Sequence, residues 1–517
     1  MRLEKLTKES VLKLKNRKII CYEKSVTYLE ELEERWGLLV NVDFVVDDFV
    51  RNQGSFTVCN REISVVGTGI LDSLKLVDHV MLITSDYFRE GYEKLYGITN
   101  LSQQTDVIYY FANKETELEE KYRKLYESSP LEDIIVFRSG PHASSYVNGM
   151  DFGDNARALF EYMLKEGYNE NYELVWLVKD PAEFRRYTEF KNVHFLAFDA
   201  GMSDKKEERD EYYRILCQAK FLFFTDAYGF ARNCRKDQIR IQLWHGCGFK
   251  TRVNFVRCEK RYEYTTVISP LYAAIHADIY GLREEQVLVT GYAKHDWLFD
   301  GVEEETIKKI GIPLGKKRIF WLPTFRIAKE SLAQLNEHST ESETGLPILY
   351  SRKQLEKVNE LLGSNHMCLV VKLHPFQDRR KICCENLENI VLIDNDILLE
   401  CDVQINQLLG IADAMISDYS SAAVDFLVLD RPLAFTLDDV EEYANSRGFV
   451  FDNIKEWLPG KEIFQIEDFC DFILEIANNQ DLSREKRQKV AAKMLKYTDG
   501  QNGKRIVETF GIKKGKR

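Results

Sequence analysis

Short apolar runs alternate with amphipathic helical patterns along most of this chain, and that alternation restricts the possible folds more than any other feature. A strand, a helix and a further strand favour a parallel sheet. The helix carries the chain back to the end of the sheet where the first strand began, so the next strand runs in the same direction. Residues 172–178 and 221–225 are apolar almost throughout, as expected for strands covered on both faces. The sequence therefore predicts an α/β fold with doubly wound parallel sheets.

The alternation falls into three blocks. A charge-dense stretch, residues 114–133, separates the first block from the second, and a polar stretch, residues 301–317, separates the second from the third. The first block also has a helical pattern at residues 26–36. Strands are predicted at residues 18–22, 42–46 and 79–84 in the first block, at 134–137, 172–178, 193–198, 221–225 and 239–244 in the second, and at 318–322, 368–373, 390–393, 414–417 and 432–435 in the third.

Composition and charge argue against several classes of protein. The 517 residues carry a net charge of −12, which disfavours nucleic-acid binding. No apolar run approaches the roughly 18–20 residues of a membrane-spanning helix, and the first residues form no apolar signal-peptide core. The 11 cysteines include no Cys-x-x-Cys pair, so we expect reduced thiols and a cytoplasmic protein. Walker A and HExxH patterns are also missing from the sequence.

The first strand-to-helix turn, residues 23–27, contains no glycine. A dinucleotide site needs glycines there, because the backbone must approach the pyrophosphate. We therefore interpret the first block as a Rossmann-like accessory domain rather than as a nucleotide site.

Polar residues follow four of the predicted strands in the second and third blocks. Ligands of open α/β sheets bind outside the carboxyl ends of parallel strands, so these positions are candidates for a binding site. Each also has a purely structural interpretation, such as a histidine at the sheet edge, a surface ion pair or a helix cap. The residues are His245 and Gly246 after strand 239–244, Pro323, Thr324 and Arg326 after strand 318–322, Lys372 and His374 after strand 368–373, and Ser420, Ser421 and Asp425 after strand 414–417.

The chemistry of these side chains suits a phosphate ligand. An arginine forks onto phosphate oxygens, and the start of the helix after Ser420 offers unpaired N–H groups and the positive end of a dipole. Glycines after His245 would let this loop approach a ligand closely. If the second and third blocks face each other, the four strand ends converge on one cleft.

An ordered set of motifs resembles the CDP-glycerol glycerophosphotransferase family, which builds teichoic-acid-type poly(polyol phosphate). The resemblance runs from about residue 134 to 510 and leaves the first block uncovered. The motifs are Gln242-x-Trp-His-Gly246, Gly291-Tyr292, Pro323-Thr324, His374-Pro375 and Ser417-Asp-Tyr-Ser-Ser421 with Asp425.

The resemblance implies a GT-B fold, in which two Rossmann-like lobes face a cleft. The lobes would be residues 134–310 on the acceptor side and residues 311–500 on the CDP-donor side. Residues 1–115 would then form the additional N-terminal accessory domain, residues 116–133 a charged linker helix, and residues 501–517 a C-terminal helix end with a basic tail.

The resemblance also implies a function: transfer of a polyol phosphate, most simply glycerol phosphate, from a CDP-activated donor to a hydroxyl of a lipid-linked or polymeric glycan acceptor, with release of CMP. No metal and no other cofactor are implied. His245 matches the general base of the family, and His374 matches the histidine at the diphosphate. The donor-binding positions would be Gly246, Lys294, Pro323, Thr324, Lys372, Ser420, Ser421 and Asp425, with Arg326 as a further phosphate contact.

Three departures from the family leave part of the function open. Lys294 and Lys372 stand where arginine is usual, and Cys247 follows His-Gly where the family has threonine. The polyol, the acceptor, the choice between primase and polymerase, and the oligomeric state are not fixed. A GT-B sugar transferase or nucleotide-sugar epimerase, and a non-catalytic scaffold, remain alternatives. The basic end at residues 513–517 could dock on an anionic membrane surface or only aid solubility.

Overall fold

Strand and helix positions follow the alternation of the sequence in a computed structural model. The structure describes residues 1–48, 52–76, 78–140, 151–187, 189–226, 230, 234–250, 261–323, 342–373, 387–446 and 448–514. The chain forms two compact units. The first comprises Met1–Pro130, Asp199–Gln218 and Gly229–Arg235, and the second comprises Leu131–Phe198, Ala219–Tyr228 and Lys236–Arg517.

The first unit contains a seven-stranded sheet in the order β1-β7-β6-β2-β3-β5-β4. All neighbours are parallel except β4 and β5, which form a hairpin. Its strands are β1 (Arg2–Lys5), β2 (Lys18–Tyr22), β3 (Val42–Val46), β4 (Gly54–Val58), β5 (Arg61–Val66), β6 (His79–Ile83) and β7 (Val107–Tyr110). Its helices are α1 (Lys8–Leu14), α2 (Val26–Trp36), α3 (Phe88–Tyr96), α4 (Thr99–Gln104) and α5 (Lys114–Tyr126).

The second unit contains two parallel sheets. The second sheet has the order β10-β9-β8-β11-β12-β13-β14. Its strands are β8 (Glu132–Ser139), β9 (Glu173–Val178), β10 (Val193–Ala197), β11 (Ala219–Thr225), β12 (Ile239–Gln242), β13 (Tyr264–Val267) and β14 (Val287–Val289). The helices of this stretch of chain are α6 (Asp154–Lys165), α8 (Pro270–Tyr280) and α9 (Glu304–Ile310), with a 3-10 helix at Ala293–Phe299. Helix α7 (Lys206–Gln218) lies between β10 and β11 in the chain but belongs to the first unit.

The third sheet has the order β17-β16-β15-β18-β19-β20. Its strands are β15 (Lys317–Trp321), β16 (Met367–Lys372), β17 (Ile390–Ile393), β18 (Ala414–Ser417), β19 (Leu433–Thr436) and β20 (Lys461–Ile463). Its helices are α10 (Arg352–Ser364), α11 (Asn395–Glu400), α12 (Ile405–Leu409), α13 (Ser421–Phe426), α14 (Val440–Ser446), α15 (Ile454–Trp457), α16 (Ile466–Ala477) and α17 (Arg484–Met494), and α18 (Asn502–Thr509) follows them.

The last helix returns to the second sheet, although it follows the third sheet in the chain. Ile506 and Val507 of α18 are buried in the same apolar core as residues of β8 and α6. The carboxylate of Asp296 accepts hydrogen bonds from the backbone N–H groups of Asn502 (2.9 Å) and Gly503 (2.7 Å) at the start of α18. The core of the second sheet is therefore completed by α18.

The α/β prediction is confirmed, and each strand predicted from the sequence is present. The helix expected within residues 114–133 ends earlier, at Tyr126, because β8 already begins at Glu132. The β4–β5 hairpin was not predicted. Its two-residue turn, Cys59 and Asn60, has positive φ at both positions (47° and 61°), which is the geometry that a tight hairpin needs.

Candidate active site

The loop after β12 places His245 at the carboxyl edge of the second sheet. The fully buried side chain of Gln242 organises this loop. Its Oε1 accepts from the backbone N–H groups of Asp226 and Trp244, both at 3.1 Å, and its Nε2 donates to the carbonyl of Asp226 at 3.1 Å. Asp226 and Trp244 both have positive φ, 62° and 59°. One buried amide thus fixes the two turns that bring Asp226 and His245 together.

Asp226 and the imidazole of His245 form a close pair. The Asp226 Oδ1 atom lies 2.7 Å from the His245 Nδ1 atom. Asp226 is nearly buried, whereas 33% of the His245 side chain is exposed. Trp244 stacks on the imidazole, with ring centroids 5.0 Å apart and an angle of 22° between the planes. A carboxylate on Nδ1 orients the ring and makes Nε2 the nitrogen that can take up a proton.

The electrostatic environment favours the protonated form of His245. Burial opposes the positive charge, but the carboxylate of Asp226, with a contribution from Asp154, outweighs it and raises the pKa of His245 above its ordinary value. Lys294 acts in the opposite direction. The neutral imidazole of His245, which is the form that can accept a proton, therefore predominates only at a higher pH than in an unperturbed histidine.

Lys294 is buried beside His245, in the 3-10 helix after β14. Its ammonium donates to the carbonyl oxygen of His245 (2.5 Å) and forms an ion pair with Oδ2 of Asp425 (3.0 Å). Asp154 Oδ1 lies farther away, at 3.7 Å. The side chains of Lys294 and Asp425 are 6% and 3% exposed. Lys294 thus brings a residue of the third sheet's α13 to the His245 loop.

The start of α13 packs directly on the same loop. Ser420 is the N-cap of α13, and its hydroxyl accepts from the N–H of Ala422 at 3.4 Å. Ser421 lies against Gly246, where an added Cβ would stand 2.5 Å from the Ser421 Oγ atom and 2.8 Å from its Cβ. Only glycine fits at position 246. Of the predicted site residues, His245, Gly246, Lys294, Ser421 and Asp425 therefore lie together.

Pro323 and Lys372 lie at the carboxyl edge of the third sheet, Pro323 after β15, which neighbours β18, and Lys372 at the end of β16 on the other side of β15. Trp321 of β15 pairs with Ile416 of β18 and with Val371 of β16. Pro323, Lys372 and Ser417 follow these paired residues by one or two positions. The Lys372 ammonium donates to the carbonyl of Leu373 (2.8 Å) and to Asn395 Oδ1 (2.7 Å).

Lys372 is a buried cation at this edge. Burial lowers the pKa of Lys372 to about 8, although Asp394 and Asp396 partly oppose the shift. A lysine with this pKa is still charged at neutral pH and loses its charge in mildly alkaline solution.

Three predicted site residues, Thr324, Arg326 and His374, lie outside the described residues. Within the described ranges, no group of three or more His, Cys, Asp or Glu side chains could hold a metal ion. No helix in the same ranges is both long enough and apolar enough to cross a membrane.

Two site residues were missed by the analysis of the sequence. Asp226 follows the predicted strand 221–225 directly, so the strand-end rule that selected His245 would also have selected it. Asn155 in α6 carries no such signal. Its buried side chain donates to the carbonyl of Trp244 (2.9 Å) and accepts from the backbone N–H of Lys294 (3.1 Å), which ties the His245 loop to the 3-10 helix.

A family model described as CDP-Glycerol:Poly(glycerophosphate) glycerophosphotransferase matches residues 132–510. The chain is 28% identical over 333 residues to the teichoic acid ribitol-phosphate polymerase TarK of Staphylococcus aureus (strain NCTC 8325 / PS 47), a match that covers 60% of each chain. It is 24% identical over 416 residues to the teichoic acid glycerol-phosphate transferase of the same strain, with 75% of this chain and 95% of that one covered.

Among solved structures, the fold is similar to that of the wall teichoic acid polymerase TagF. One variant of that polymerase has a TM-score of 0.58 and 21% identity, with 76% of this chain and 93% of that chain covered. The matched region spans only 51% to 60% of the length of three curated polymerases, namely TarK, TarL and a poly(glycerol phosphate) polymerase of Staphylococcus epidermidis.

The contact between Gly246 and Ser421 generates a test of the site geometry. We expect Gly246→Ala to lower the free energy of unfolding by about 1–3 kcal/mol, because the new methyl group has no space against Ser421. Ser421→Gly should relieve much of that loss when the two changes are combined. Thermal unfolding of the two single variants and the double variant measures the coupling.

Gly69→Ala is the matched control for this cycle, because nothing lies within 4 Å of an added Cβ at that position. It should leave the unfolding temperature almost unchanged. Strictly additive losses in Gly246→Ala and Ser421→Gly would show that the two residues are not in contact.

Proposed function

Because the chain belongs to the CDP-glycerol:poly(glycerophosphate) glycerophosphotransferase family, we propose that it transfers a polyol phosphate from a CDP-activated donor to a hydroxyl of a glycan acceptor and releases CMP. The observation that carries the proposal is the Asp226–His245 pair beside the start of α13. A base held by a carboxylate lies there within the same site as the helix start that would receive a phosphate.

A GT-B arrangement is part of this proposal. The second and third sheets would form the two lobes, residues 134–310 and 311–500, with the candidate site at their facing edges. Residues 1–115 would be an accessory domain, residues 116–133, in which α5 ends at Tyr126, would be the linker, and residues 501–517 would form a C-terminal helix end with a basic tail. The likeness to the TagF fold and the contacts of Gly246 and Lys294 with α13 support this arrangement.

The proposed reaction is attack at phosphorus. The His245 Nε2 atom takes the proton of the acceptor hydroxyl while the acceptor oxygen bonds to the phosphorus of the polyol phosphate. The bond from that phosphorus to the bridging oxygen of the diphosphate breaks, and the electron pair leaves with CMP. Catalysis of this kind consists of positioning and charge stabilisation, with no covalent step for the protein.

The third sheet would hold the donor. Ser420 and Ser421 at the start of α13 and the ammonium of Lys372 are the described groups that suit the diphosphate. Pro323, Thr324, Arg326 and His374 complete the proposed donor set, with His374 at the diphosphate. Charge on the departing CMP phosphate would be met by these side chains and by the N–H groups of the helix start.

The proposed donor is a CDP-polyol, for which two polyols are candidates. Curated relatives include ribitol-phosphate polymerases as well as glycerol-phosphate transferases and primases, so both CDP-glycerol and CDP-ribitol are candidate donors. A variant of TagF was soaked with CDPG, which supports a CDP-linked donor here. The proposed acceptor is a lipid-linked teichoic-acid-type glycan.

The proposal is tested by following CMP release from CDP-glycerol and from CDP-ribitol in the presence of a lipid-linked acceptor. We expect His245→Ala to lower the rate by about 10²–10⁴-fold, the usual contribution of a general base, with the fold retained. Near-normal turnover in folded His245→Ala would remove this residue from the mechanism. Release of UDP from UDP-sugars, with no CMP from either CDP donor, would favour a sugar transferase.

The Asp226–His245 pair predicts the pH dependence. The acid limb of kcat/KM should lie above pH 6.5, the approximate ordinary pKa of histidine, since only the neutral imidazole accepts the proton. Asp226→Asn removes the charge that raises the pKa of His245, so the limb should move to lower pH while the maximal rate falls. An acid limb that stays in place in Asp226→Asn would assign it to another group.

We also propose that the protein works at an anionic membrane surface on the cytoplasmic side, where the basic chain end would contact lipid. Each lysine or arginine near such a surface contributes about 1 kcal/mol. Deletion of residues 513–517 should weaken co-sedimentation with liposomes that contain anionic lipid and leave CMP release from a soluble acceptor unchanged. Equal sedimentation of both forms would mean that the tail only aids solubility.

A further inference from the structure

A buried ionic cluster joins α13 to the 3-10 helix before α9. Asp425 of α13 uses both of its carboxylate oxygens there. Oδ1 accepts from His295 Nε2 at 2.8 Å, and Oδ2 accepts from Lys294 at 3.0 Å and from the Asn406 amide at 3.4 Å. The side chain of His295 is only 1% exposed. Asp425 is thus enclosed by protein groups.

Lys294 links this cluster to the base. Its ammonium reaches the carbonyl oxygen of His245 itself at 2.5 Å, and its backbone N–H donates to Asn155, whose amide also holds the carbonyl of Trp244. Burial opposes the charge of Lys294, but Asp154 and Asp425 raise its pKa above the ordinary value, so it stays protonated. The ammonium of Lys294 therefore binds the His245 loop directly, and its backbone N–H is linked to the same loop through Asn155.

α13 meets that loop at two points. At its first residue, Ser421 lies against Gly246, and one turn later Asp425 reaches the carbonyl of His245 through Lys294. A helix of the third sheet therefore fixes both the backbone of the base and the residue that follows it. We call Ser421, Asp425 and Lys294 together the α13 clamp.

We propose that Lys294 and Asp425 are positioning residues, which hold His245 in place from α13, and that they are not ligands of the donor. The proposal rests on the proposed function of His245 as the base. It follows from the contacts, because Asp425 already pairs with the charge of Lys294 and both of its carboxylate oxygens bind protein groups, whereas the hydrogen-bond partners of the Lys372 ammonium are uncharged. A displacement of about 1 Å at a reacting group can cost 10²-fold in rate, so such a clamp matters for catalysis.

The kinetic test uses Lys294→Met, which removes the ammonium but keeps most of the side-chain volume. We expect kcat for CMP release to fall roughly 100-fold, while KM for the CDP donor changes less than about threefold. Lys294→Arg should recover a substantial part of kcat, since it retains a donor and a charge. A large rise in donor KM with kcat unchanged would make Lys294 a donor ligand and overturn the proposal.

A second measurement does not depend on activity. Amide hydrogen exchange of the full chain should become at least about tenfold faster at residues 243–248 in Lys294→Met, because the loop loses its tether, and remain unchanged in β11. Asp425→Asn should give the same pattern, which covers the case in which Lys294→Met does not fold. Unchanged exchange of the loop in these variants would overturn the clamp.

Lys220→Met is the matched control. Lys220 also belongs to the second sheet and pairs with Asp133 at 2.6 Å, but it is 40% exposed and lies at the start of β11. It should change neither kcat nor loop exchange. If the wild-type protein releases no CMP from either donor, the proposed function fails, whereas the exchange measurement still decides whether the clamp exists.

Discussion

The buried ion pair between Lys294 and Asp425 is the interaction on which the geometry of the site depends. Removing two charges from water costs several kcal/mol for each ion, and the attraction between them offsets this only with additional hydrogen bonds. The His245 carbonyl, the His295 imidazole and the Asn406 amide supply those bonds. Such a pair adds little net stability, but it penalises every arrangement in which its members are apart. It therefore specifies how α13 meets the His245 loop.

Uncharged buried amides perform the complementary task within the second sheet. Gln242 and Asn155 lie at strand and helix ends, where the backbone leaves regular structure and its polar groups lose their regular partners. Each amide offers donors and an acceptor at once, so one side chain can satisfy groups of two separate turns. The left-handed conformations of Asp226 and Trp244 cost free energy, and these hydrogen bonds offset that cost.

Much of the fold could be predicted from the sequence because parallel strands buried on both faces leave continuous apolar runs, as in residues 221–225 and 414–417. β13 escaped prediction because it contains two threonines. Thr265 and Thr266 are fully buried, and their hydroxyls donate to the carbonyls of Gln242 and Leu243. A polar sequence can thus form a strand with neighbours on both sides when the adjacent backbone accepts its hydrogen bonds.

The positions of candidate site residues were predictable where a polar residue follows a strand end, as at His245, Ser420 and Ser421. The partnership of Lys294 with Asp425 was not, since the two residues are 131 positions apart and no local pattern indicates that they meet. A lysine in a family motif can bind a phosphate or a carboxylate, and the sequence alone does not distinguish the two. Only the three-dimensional contact between Lys294 and Asp425 of α13 shows that a carboxylate lies beside the charge of this lysine.

The return of α18 to the second sheet has a consequence for biosynthesis. Ile506 and Val507 fill a core whose other members, such as Phe137 and Leu159, leave the ribosome several hundred residues earlier. During translation that apolar surface of the second sheet stays uncovered while the residues of the third sheet are synthesised. Nascent chains of this protein therefore keep an apolar surface exposed until α18 has been made, and such a surface favours aggregation or the binding of chaperones.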